Sequence, residues 1–80
     1  MNDQEILSSI NKIIISENGL PVQMSNLFIQ SDLDSLGVLI VILDIAGEYN
    51  ISGEVLDELD FSTLTVINLV NLCKSSITNT

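Results

Sequence analysis

Asp34–Asn50, which runs DSLGVLIVILDIAGEYN, is the stretch whose reading decides the fold of this chain. Its polar entry offers Asp34 or Ser35 as a helix N-cap, and Asn50 just after Tyr49 offers a stop. Between them apolar residues recur with only Asp44 and Glu48 as acids, so residues 35–49 are predicted to form a helix apolar on nearly every side. Such a helix is either buried all round or keeps a patch for docking. We assign Leu36, Leu39, Ile42, Ile45 and Tyr49 to the core, and Gly37, Val38, Ile40 and Leu43 to a face that docks partners.

Upstream, Ile6, Ile10, Ile13 and Ile14 recur at helical spacing and predict a first helix over about residues 3–16. Asn2 with Glu5 three positions later forms a capping box at its start, and Asn18-Gly19 followed by Pro21 ends it. Residues 17–34 then form a long connection. Leu20, Val22, Met24, Leu27, Phe28 and Ile29 are too regularly apolar for disorder, so they are expected to plug the space between helices. Downstream, EVLDELD suffices for one or two turns over about residues 54–59. A last helix is expected over about residues 63–76, with Ser62 as N-cap, a hydrophobic staple between Phe61 and Val66, and Leu64, Ile67 and Val70 facing inward. The sum is one all-α domain, a four-helix bundle with a long first connection and a short third helix.

Composition limits what such a domain can do. Eighty residues support one small core and no large enclosed active site. Eleven Asp and Glu stand against Lys12 and Lys74, a net charge of −9. That balance excludes nucleic acid and points to basic protein partners, with Glu54, Asp57 and Glu58 as the electrostatic part of recognition. It also disfavours self-association, so a monomer is expected. The N-terminus lacks the features of a signal peptide, the longest apolar run is Val38–Leu43, and the lone Cys73 forms no internal disulfide; a cytoplasmic location without membrane insertion is expected.

With no histidine, neither a catalytic triad nor an activated Cys73 is available, and Cys73 is expected to pack in the last helix. Carboxylate pairs such as Asp32 with Asp34, or Asp57 with Asp60, read as solvated surface. Asp32–Gly37 begins like a calcium loop, but Leu36 and Leu43 stand where positions five and twelve need oxygen ligands, so no metal site is expected.

One constellation remains, Asp34-Ser35-Leu36 at a loop-to-helix junction. Residues 31–51, with Asp34-Ser35-Leu36 opening an apolar helix and Glu48-Tyr49-Asn50-Ile51 following it, resemble the signature of acyl and peptidyl carrier proteins. Residues 59–70, LDFSTLTVINLV, are similar to the end of free-standing members of that family. The resemblance implies a non-catalytic carrier that holds acyl or aminoacyl thioesters on a 4′-phosphopantetheine arm. It makes Ser35 the attachment point, flanked by Asp34 and Leu36, in a specialised polyketide, nonribosomal peptide or related pathway. The implied partners are a phosphopantetheinyl transferase, an activating ligase and downstream transferase or condensing enzymes. The alternative is a helical adaptor that binds partners through the apolar second helix without covalent modification.

Overall fold

A computed structural model of the chain describes residues 2–78. It is all-α, with α1 at Asp3–Ser16, α2 at Ser35–Tyr49, α3 at Gly53–Asp57 and α4 at Val66–Thr78. α1, α2 and α4 pack against one another. Among the described residues no helix is long and apolar enough to cross a membrane.

Local chemistry sets the start of α1. Asn2 accepts from the Glu5 N–H at 2.9 Å while the Glu5 carboxylate accepts from the Asn2 N–H at 3.3 Å, completing the expected capping box. α1 ends where Asn18 turns left-handed, with φ of 65°, and the Gly19 N–H donates back to the Ile14 carbonyl at 2.9 Å. Gly19 is needed for close approach: a Cβ there would lie 2.6 Å from Ile14 Cγ2 and 2.8 Å from Leu33 Cδ2. α1 buries Ile6, Leu7, Ile10 and Ile14, a helical stripe that faces α2 and α4.

The connection from 17 to 34 is ordered by three sets of contacts. Asn11 on α1 grips Val22 at both ends of its peptide, accepting from its N–H at 2.8 Å and donating to its carbonyl at 2.9 Å. The Phe28 N–H donates to the Leu64 carbonyl at 2.8 Å and the Val66 N–H to the Asn26 carbonyl at 2.9 Å, an antiparallel bridge centred on Leu27 and Thr65. A single 3-10 turn, Phe28–Ser31, drops the Phe28 ring into the core, and the buried Ser31 hydroxyl closes it onto the Phe28 carbonyl at 2.8 Å. Of the loop's expected plugs, Val22 and Phe28 are buried and Met24 packs against the core, whereas Leu20, Leu27 and Ile29 are exposed. Two anchors suffice to hold the loop, and the residues between them alternate outward.

α4 begins later than its sequence signals suggest. Ser62 is not its cap; Asp60 accepts from both the Ser62 N–H and its hydroxyl, which holds residues 60–63 in a separate turn. Those two bonds pull the Asp60 carboxyl below its ordinary range. Thr65 instead accepts from the Asn68 N–H at 3.2 Å, and Val66 opens the helix, so Val66 is not placed four residues past a cap for a staple with Phe61. Ile67 is consequently exposed, and the inner face is Val66, Leu69, Val70 and Cys73, with Leu64 buried just before it. α3 is capped by Ser52 and buries none of its residues fully; Val55 and Leu56 pack partly against the core.

Candidate functional site

The mouth of α2 is built by Leu33 and Asp34. Asp32 takes a left-handed φ of 58°, turning the chain, and Asp34 follows in extended backbone. The Asp34 carboxylate accepts from the Gly37 N–H at 2.7 Å and its carbonyl accepts from the Val38 N–H at 2.9 Å, so Asp34, and not Ser35, is the N-cap. Gly37 is buried beneath this cap: an added Cβ would lie 3.1 Å from Asp34 Oδ1 and 3.3 Å from Leu33 Cδ2. It therefore supplies little of the docking surface assigned to it from sequence.

Ser35 is the first helical residue and is exposed. Its own N–H and that of Leu36 precede the first intrahelical bond and carry the positive end of the helix dipole beside the hydroxyl. A serine so placed can accept a substituent without disturbing the core, and an anionic substituent sits favourably at a helix start.

α2 presents a different outer face from the one expected. Leu36 and Leu39, assigned to the core from sequence, are 65% and 54% exposed. Leu43 is exposed at 56%, as expected of a docking residue, while Val38 and Ile40 are half-buried. Ile42, Ile45 and Tyr49 are buried as assigned, and Val41 and Ala46 join them. Glu54, Asp57 and Glu58 are exposed on α3 and at its end.

Elsewhere the chemistry is sparse. A shallow depression of about 370 Å³ between α1 and the end of α2 is lined by Glu5, Ser8, Ser9, Lys12 and Glu48. Glu48 lies about 20 Å along α2 from Ser35 at 1.5 Å per residue, so this hollow is not part of the Ser35 site. Cys73 is fully buried, and burial pushes its thiol up to about 12, which keeps it unreactive at neutral pH. Asp57 and Asp60 are both exposed and lack the opposed environments that acid-base work needs. Asn11 and Ser31, which hold the loop leading into Ser35, were not visible as special in the sequence: a polar residue within a helix and one in a loop carry no distinguishing local signal.

No family model, no curated protein and no solved structure matches this chain.

Proposed function

We propose that the chain is a phosphopantetheine-dependent carrier that holds acyl or aminoacyl groups as thioesters, with Ser35 as the attachment residue. The observation that carries this reading is the exposed Ser35 hydroxyl at the first position of α2, beside a cap made by Asp34 alone. Because Asp34 satisfies the Gly37 N–H, Ser35 is not needed for capping and its oxygen is available for chemistry.

In the loading step the Ser35 oxygen attacks the phosphorus that bears the pantetheine arm of coenzyme A. A phosphodiester bond forms, the bond to adenosine 3′,5′-bisphosphate breaks, and the hydroxyl proton passes to a base on the transferase. The new phosphate lies by the amides of the first turn, where negative charge is favoured by about 0.3–1 kcal/mol. All later chemistry belongs to the arm's thiol and to the partner enzymes, consistent with a chain that has no histidine and a buried cysteine.

Asp44 and Glu48 are the only acids within α2, and this favours a specialised pathway over primary fatty acid synthesis, whose carriers resemble a more acidic helix. The exposed leucines of α2 support a second reading, an adaptor without modification. Incubation with coenzyme A and a broad-specificity transferase separates the two. The carrier gains the mass of one phosphopantetheine, Ser35→Ala gains none, and an unmodified wild-type chain refutes the carrier reading.

A further inference from the structure

Gly47 stands in the last turn of α2 with no internal reason to be glycine. A Cβ there would meet nothing within 4 Å, and its φ is not positive. The left-handed position that commonly recruits glycine at a helix end is held instead by Asn50, with φ of 58°. A glycine within a helix costs up to about 1 kcal/mol relative to alanine, so the chain tolerates a local destabilisation that its own fold does not require.

The position of Gly47 gives that cost a use. At 100° per residue, Leu36, Leu39, Ile40, Leu43 and Gly47 fall within an arc of about 100°, opposite Ile45. Ile45 is fully buried, while the three leucines are more than half exposed. The stripe is thus a row of apolar side chains ending in a notch where the backbone is bare. Asp44 and Glu48, both exposed, run along one edge of it. Small residues allow two helices to approach closely, and an apolar stripe edged by carboxylates is complementary to an apolar helix edged by Lys or Arg. A second copy of this chain is a poor occupant, because it brings −9 against −9 and offers no cation on this face.

The geometry points to α2 as the seat for an amphipathic, basic-edged α-helix of a partner protein, lying along Leu36, Leu39 and Leu43 with its backbone closest at Gly47. This docking does not depend on Ser35 being modified, so it is tested on the unmodified chain. The probe is a synthetic amphipathic helical peptide with a leucine face edged by lysines, titrated into the isotope-labelled protein by NMR; a control peptide carries glutamates at the lysine positions. Expected are shifts centred on Leu36, Leu39, Leu43 and Gly47, and about tenfold weaker binding by Gly47→Leu, equivalent to about 1.4 kcal/mol. Gly47→Leu and Gly47→Ala should melt no lower than wild type, since both side chains enter open space. The inference is overturned if the lysine peptide does not bind, if the glutamate peptide binds as well, if the shifts lie elsewhere, or if Gly47→Leu binds unchanged. Sedimentation showing a dimer of this chain through α2 would also overturn it.

Discussion

Replacing Asp34 by alanine tests the mouth of α2 directly. The substitution removes the acceptor of the 2.7 Å bond from the Gly37 N–H. Loss of an N-cap of this kind costs about 0.5–2 kcal/mol. Gly37 is buried beneath the cap, so water replaces the lost acceptor poorly, and an orphaned buried donor costs about 1–3 kcal/mol. These are two views of one bond and do not add; together they place the loss near 2 kcal/mol. For a domain of this size about 4–8 °C is lost per kcal/mol, so the melting temperature should fall by on the order of 10 °C, followed by circular dichroism with a parallel urea titration. Asp34→Asn keeps an equivalent acceptor and loses only the interaction of charge with the helix dipole, about 0.3–1 kcal/mol. It therefore preserves the placement of Ser35 while removing the charge, and a slow loading rate in Asp34→Asn would mean that a transferase reads the carboxylate itself. If alanine stays within about 0.5 kcal/mol of wild type, or asparagine is as damaging as alanine, the capping account of this site is wrong.

Phe28→Ala should destabilise the fold by about 3–5 kcal/mol, since the ring is fully buried and is the largest side chain in the core; a urea midpoint near that of wild type would refute its role as the loop's anchor. Gly19→Ala should cost about 1–3 kcal/mol, because its methyl would enter space held by Ile14 and Leu33; an unchanged melting temperature would show that the turn relaxes freely. Cys73 should resist alkylation at pH 8 in the folded state and react on unfolding. With its thiol raised to about 12 from an ordinary value near 9.0, its contribution to stability is intact below pH 9 and declines as pH rises toward 12, which a set of urea midpoints across that range would reveal.

What the sequence made legible was the local chemistry. The Asn2–Glu5 box, the Asp34 cap and the Asn50 stop depend on residues three or four apart, and each appears where those residues predict. The buried side of α2 was not legible for the opposite reason. Its apolar residues occupy almost every direction, so no period distinguishes Leu36 and Leu39, which are exposed, from Val41 and Ala46, which are buried. The choice is made by the faces that α1 and α4 present. The start of α4 was misplaced because two distant events compete with its local signals: Asp60 captures Ser62, and Val66 donates its N–H to Asn26 across the structure. For the candidate site, the position of Ser35 followed from its neighbours, but the exposed stripe beside it needed the packed structure.

The bridge between Asn26–Phe28 and Leu64–Val66 has a bearing on how the protein is made. It joins segments some 40 residues apart, so the connection leading into Ser35 lacks its fastening until α4 has been synthesised. At about 5–20 residues per second, a ribosome leaves that segment unanchored for seconds after it is translated. Pairings of such long sequence separation form late and slow the folding of a small helical chain. An emerging polypeptide would thus show Ser35 on an untied strand first, and on a fixed helix mouth only when its C-terminal third arrives.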